Sequence, residues 1–390
     1  MKVLVYSHFF APSVGGVETV VLSLARSLAD LRDSSGAPQF EITLVTHTPA
    51  GSYDDRALPF VTIRQPGLLQ LWRLIRKSDL VHVAGPALAP LILSLLVRKL
   101  VVVEHHGFQT ICPNGQLLIE PEGTLCPGHF MAGRHAKCLR CNSTCGWLAS
   151  YRLWLLTFLR RFLCSHTSAN IMPTQWLGGL LRLPQVAVIP HGLEFAEATT
   201  RHEPHSGTPV ILFLGRLVTT KGVRLLLEAV RLLREQNRSF ELLIIGDGPE
   251  RTPLEQFARD SGLAALVRFA GRLDGEQLEA AFAQASAVVV PSLSGEVFGL
   301  VVAENMLRGL PVIASDLGAF TEVLGDTGLT FCSGSVTDLA AALSRLLDDP
   351  SFAAVLGQRA RQRALDFCSK SRMIEAHIRV YQDLCAAVKD

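Results

Sequence analysis

Two glutamates, Glu296 and Glu304, bracket an apolar run, and two cations, Arg216 and Lys221, follow an earlier apolar run that reads as a strand. The glutamate segment is Pro291-Ser292-Leu293-Ser294-Gly295-Glu296-Val297-Phe298-Gly299-Leu300-Val301-Val302-Ala303-Glu304. Glu296 stands just before a helical period and Glu304 about two turns inside it, so the first addresses a ligand at the helix mouth and the second a more distant hydroxyl. Between them, the backbone N–H groups of Phe298, Gly299 and Leu300 leave the helix start, where unpaired amides and the helix dipole hold phosphate oxygens. Val301, Val302, Ala303 and Met306 flank Glu304, so its carboxylate is expected to be partly buried and to need a partner. In Gly215-Arg216-Leu217-Val218-Thr219-Thr220-Lys221-Gly222 the two cations leave the C-terminal end of a strand, the edge where open α/β sheets take ligands. Two cations beside a turn suit a diphosphate. A glycine pair, Gly15-Gly16, between the first strand and the first helix also lets backbone approach a phosphate, although a plain tight turn explains it equally well.

These groups need a scaffold, and the hydrophobic pattern supplies it. Short β-branched runs at Val3–Tyr6, Phe40–Val45, Leu80–Val83 and Val101–Glu104 alternate with helical periods. The series restarts at Val210–Leu214, Glu241–Ile245, Ala287–Val290 and Pro311–Ala314. Strand, helix, strand at this spacing predicts a doubly wound parallel sheet, once in each half. The polar stretch 193–208, with Glu203-Pro204-His205-Ser206-Gly207, reads as a linker between domains spanning 1–192 and 209–370. A last helix, 371–390, belongs to either domain.

Composition excludes several classes. The 390 residues are 48% hydrophobic and 18% charged, which rules out a disordered chain and is enough for two cores. Mean hydropathy is +0.29, yet the longest apolar stretch, about residues 86–103, contains Arg98 and Lys99, so no spanning helix is expected. The N-terminus carries no export signal, which makes the cytoplasm the expected compartment. A net charge of +2 hides an asymmetry: residues 1–190 hold 17 Lys/Arg against 10 Asp/Glu, and residues 191–390 hold 20 against 25. No acidic residue lies between Glu122 and Glu194. A one-signed surface of this kind predicts a polyanion or an anionic membrane leaflet as a neighbour.

Taken together, the Gly15-Gly16 loop, GRLVTTKG, Gly246-Asp247-Gly248-Pro249, Phe269-Ala270-Gly271, the two glutamates and Arg308-Gly309-Leu310-Pro311-Val312-Ile313-Ala314-Ser315 resemble the retaining, nucleotide-sugar-dependent glycosyltransferases of family 4. The resemblance covers nearly the whole chain, most closely 209–332. It implies the GT-B fold, two Rossmann-like domains facing a central cleft, with an acceptor-side N-terminal domain and a nucleotide-sugar-binding C-terminal domain. By position, Arg216 and Lys221 would bind the donor diphosphate and stabilise it as leaving group. Glu304 would hold the ribose, Glu296 the donor sugar, and Gly16 would close on the phosphates. His105 matches a cleft histidine that contacts the donor sugar, with His106 one residue away as the alternative. The absence of any Asp-x-Asp triplet agrees with a site that uses no catalytic metal. The implied reaction is hexosyl transfer from a UDP- or GDP-linked sugar to a glycan or lipid-linked acceptor, as in polysaccharide or lipopolysaccharide synthesis. Two other readings share the same contacts: a GT-B nucleotide-sugar epimerase and a non-catalytic sugar-nucleotide-binding protein.

Two segments stand outside these motifs. Five of nine cysteines crowd into the loop 107–146, and Cys138-Leu139-Arg140-Cys141 has the short spacing of zinc ligands. Cys112 and Cys126 would complete a structural zinc site, with His129 and His135 as rival ligands and a plain reduced loop as the alternative. Residues 147–163 combine leucines and aromatics with Arg152, Arg160 and Arg161. They read either as a helix lying on an anionic membrane surface or as a buried helix with snorkelling arginines. Nucleic acid is not expected as a partner, because these aromatics sit among leucines.

Overall fold

A computed structural model describes residues 1–120, 122–142, 145–194 and 207–387. The chain forms two units. One comprises Met1–Gln116, Gly128–Glu194 and the chain from Ser369 onward; the other takes Leu117–Pro127 and the chain up to Cys368. Most of the expected linker, 195–206, lies outside the described residues.

In the first unit seven parallel strands run edge to edge as Val61–Arg64, Glu41–Thr46, Lys2–Ser7, Leu80–Ala84, Leu100–Glu104, Ala169–Met172 and Val186–Val188. The central strands are buried on both faces and accordingly carry unbroken apolar runs such as Val3-Leu4-Val5-Tyr6 and Val101-Val102-Val103. The helix Lys370–Ala386 belongs to this unit and sets Met373, Ile374 and Tyr381 into its core. Close fit fixes that helix: a Cβ on Gly192 would stand 2.5 Å from Lys370 Cα.

The second unit holds six parallel strands in the order Val267–Gly271, Glu241–Ile245, Val210–Leu214, Ala287–Val290, Val312–Ser315 and Leu329–Phe331. The amphipathic helix Val223–Glu235 covers this sheet with Leu226, Leu227, Val230 and Leu233. Strand order reverses beside Val210–Leu214, where the chain leaves for Glu241–Ile245 on one side and returns to Ala287–Val290 on the other. A crevice outside the carboxyl ends of the strands at such a reversal is where open α/β sheets bind ligands. The two loops that flank it are 215–222 and 291–299. Among the described residues no helix is long and apolar enough to cross a membrane.

Candidate active site

The two loops at the strand-order reversal are stitched together by backbone. Leu293 N–H donates to the Thr220 carbonyl at 2.7 Å. Gly222 is left-handed, at φ 67°, and a Cβ there would lie 1.9 Å from the Pro291 carbonyl oxygen, so only glycine allows this approach. A side-chain pair completes the join: Lys221 Nζ donates to Glu296 Oε1. Ser292 Oγ donates to the same oxygen at 3.0 Å, and Ser315 Oγ holds the Ser292 carbonyl at 2.6 Å. The Lys221 side chain is 30% exposed and that of Glu296 13%, so the pair is half-buried but reachable. Arg216 is exposed on the same loop, with no ion-pair partner among the described residues. Among the described residues, therefore, Arg216 has no ion-pair partner and Lys221 shares a carboxylate, both beside the strand ends.

Glu296 is followed by a turn that carries Phe298 into the core, and the helix Leu300–Leu307 begins at a left-handed Gly299, φ 93°. A Cβ on Gly299 would meet the Phe320 ring at 2.5 Å. Phe298 and Gly299 thus precede the helix, and Leu300 alone of the three expected amide donors is in its first turn. Glu304 is likewise one turn inside the helix, not two. It is partly buried; burial pushes its carboxyl above the ordinary range, and nearby Arg308 opposes that shift. Arg308 is itself held by Glu279 at 2.6 Å and lies over the Phe282 ring.

The remaining candidates belong to the first unit. Gly15 caps the helix Gly16–Asp30 in extended backbone, which any residue adopts, so the left-handed argument does not apply there. His105 needs correction as a cleft residue. It has no exposure, its Nε2 donates to Asn170 Oδ1 at 2.9 Å, and burial holds its imidazole down at about 4. The neighbouring His106 retains some exposure. In the cysteine loop one asparagine lies between two of the expected ligands. Cys112 Sγ donates to Asn114 Oδ1 at 2.9 Å, and Asn114 Nδ2 reaches Cys141 Sγ at 3.6 Å. Asn114 thus bridges Cys112 and Cys141.

The helix Trp147–Cys164 buries Ser150, Thr157, Leu163 and Cys164 and presents the opposite face to solvent. Trp147 is 75% exposed, Phe162 60% and Leu155 52%, with Leu148, Tyr151, Phe158 and Leu159 beside them. The helix thus has one buried and one exposed face. The sequence also concealed Ser292 and Ser315 as supports of Glu296; a serine in a loop carries no signal until its partner is placed.

Two doubly wound parallel-sheet units, the second with cations and a carboxylate at its strand-order reversal, define the GT-B class. Two family profiles tile the chain: one described as Glycosyltransferase Family 4 matches residues 14–197, and one described as Glycosyl transferases group 1 matches residues 195–363. The chain belongs to this family of glycosyltransferases. It is similar to a 2-deoxystreptamine glucosyltransferase of Streptomyces kanamyceticus, 35% identical over 38% of each chain. It is also similar to a phosphatidyl-myo-inositol mannosyltransferase of Mycolicibacterium smegmatis, 37% identical over 51% of this chain and 52% of that one. The match thus spans about half or less of these relatives' length. Among solved structures, sucrose-phosphate synthase of Thermosynechococcus elongatus superposes with a TM-score of 0.73 over 99% of both chains at 22% identity, a likeness of fold.

Proposed function

We propose that this protein transfers a sugar, with retention of anomeric configuration, from a UDP- or GDP-linked donor to a glycan or lipid-linked acceptor at an anionic membrane surface. The observation that carries the reading is the Lys221–Glu296 pair at the strand-order reversal, with the exposed Arg216 on the same loop. When the sugar–phosphate bond breaks, the ring takes on oxocarbenium character and negative charge grows on the departing diphosphate. Lys221, held by Glu296, stabilises that charge with little reorganisation, and the exposed Arg216 adds a second cation beside it. Glu296 meets the sugar hydroxyls and holds Lys221 in place; Glu304 accepts the ribose hydroxyls. Attack comes from the face the diphosphate leaves, with a phosphate oxygen taking the acceptor's proton.

The membrane component rests on the helix Trp147–Cys164, whose exposed aromatic and leucine face lies in a segment free of acidic residues. A relative named for phosphatidyl-myo-inositol supports a lipid-linked acceptor. The test is thermal stabilisation of the purified protein by a panel of UDP-, GDP- and ADP-sugars, since binding to the folded state raises its melting temperature. A selective rise that disappears in Lys221→Ala is expected. No rise with any member would overturn the donor reading, and a changed sugar still attached to its diphosphate would identify an epimerase instead.

A further inference from the structure

Glu104 ends the strand Leu100–Glu104 inside the first unit with no exposure, and four imidazoles face its carboxylate. His82 Nε2 donates to Oε2 at 3.1 Å. His377 Nε2 stands 3.6 Å and His106 Nε2 3.9 Å from that oxygen, while His191 Nδ1 stands 3.5 Å from Oε1.

Partners place a proton on two of the rings. Because His82 gives its Nε2 proton to the carboxylate, its Nδ1 accepts, and Tyr381 Oη donates to it at 2.7 Å. His377 Nδ1 lies 2.8 Å from the Met373 carbonyl, which only accepts, so Nδ1 carries a proton. Glu104 Oε1 and His106 Nε2 find no hydrogen-bond partner among the described residues. Buried polar atoms without a partner are costly, and a cation between them supplies one.

One carboxylate oxygen of Glu104 and one ring nitrogen each of His106 and His191 lie within 4.8 Å of one another. Ligands about 2.0–2.2 Å from a tetrahedral ion stand roughly 3.3–3.5 Å apart. The His191–Glu104 distance already meets this, and the others need to close by a modest movement. We propose that Glu104, His106 and His191 bind a divalent transition-metal ion of the zinc class, with a fourth position for water. Imidazole and carboxylate donors suit such an ion. His82, backed by Tyr381, orients the carboxylate from outside the ligand set, as partners of metal ligands do. The ion ties the strand end to the segment that follows Val186–Val188 on the same sheet, against the helix that supplies His377 and Tyr381.

The whole chain, stripped with a chelator, is loaded with Zn(II) or Co(II), gel-filtered and assayed for metal. About one ion per chain is expected in the wild type and in the triple variant Cys112→Ser/Cys138→Ser/Cys141→Ser. His191→Ala should weaken binding at least 100-fold, and His82→Gln roughly 10- to 100-fold. Bound Co(II) should show no thiolate charge-transfer band, a result that stands even if His191→Ala fails to fold. No retained metal in the wild type would overturn the site in favour of a proton shared by the imidazoles. Metal lost in the cysteine variant but kept in His191→Ala, or a thiolate band, would overturn it equally.

Discussion

Replacing Lys221 by alanine separates the two tasks assigned to the site. The Lys221 ammonium is half-buried, 30% exposed, and shares its charge with Glu296, which is 13% exposed and held by Ser292. A charge-assisted hydrogen bond to a phosphate in such a setting contributes about 1.5–3 kcal/mol, so Lys221→Ala should weaken nucleoside diphosphate binding about 10- to 150-fold. Because negative charge on the diphosphate grows toward the transition state, kcat/KM should fall by at least another factor of about 10. Glu296→Ala differs. It frees Lys221 for the phosphate, so Kd for the nucleoside diphosphate should change less than about threefold while kcat falls at least about 100-fold, since the sugar loses its anchor. In the double variant, binding should match Lys221→Ala within about twofold. Titration calorimetry gives the affinities, and nucleoside diphosphate release gives the rates. Equal loss of affinity in both single variants, or wild-type rates in both, would refute the division of labour.

Four other perturbations are informative. Gly222→Ala forces a Cβ against the Pro291 carbonyl at positive φ; it should cost about 2–3 kcal/mol and lower Tm by about 5–10 °C, and an unchanged Tm by calorimetry would count against the stitched loops. Glu304 has a raised carboxyl pKa, so its contribution to stability is present at low pH and lost as pH rises through the folded value; Glu304→Gln should therefore raise Tm at pH 7, lose that advantage in acid, and weaken nucleoside binding about 10-fold. A lower Tm at pH 7 would contradict this sign. His105→Leu leaves Asn170 Oδ1 without its donor and should cost about 1–3 kcal/mol in denaturant unfolding, whereas lost turnover at unchanged stability would restore His105 to the site. Leu155→Glu/Phe162→Glu should abolish co-sedimentation with anionic vesicles while leaving Tm within a few degrees; persistent binding would reject that face as the contact.

Much of this was legible in the chain, for physical reasons that also explain the rest. The central strands are long apolar runs, and the glycines and cations after Val210–Leu214 and Ala287–Val290 are local signals, so the loops 215–222 and 291–299 are legible in the sequence. Val61–Arg64 and Val186–Val188 leave little signal because edge strands are short and half-exposed, and Ala169–Met172 because its Asn170 breaks the apolar run. The histidine pair was harder. Two adjacent imidazoles at a strand end point to opposite sides, and only the placement of Asn170 and Glu104 shows that His105 is buried in a neutral hydrogen bond. The Glu104 cluster had no sequence signal, since His82, His106, His191 and His377 are scattered along the chain and meet only through the sheet and the last helix.

The most direct test of the central claim needs no acceptor. The purified protein is incubated with the UDP- or GDP-sugar that stabilises it, and the slow transfer to water is followed by proton and phosphorus NMR. Retaining transfer predicts free nucleoside diphosphate together with a sugar that first appears with the donor's anomeric configuration, and no release in Glu296→Ala. The opposite anomer appearing first would contradict the account, as would a donor whose sugar changes without leaving the diphosphate.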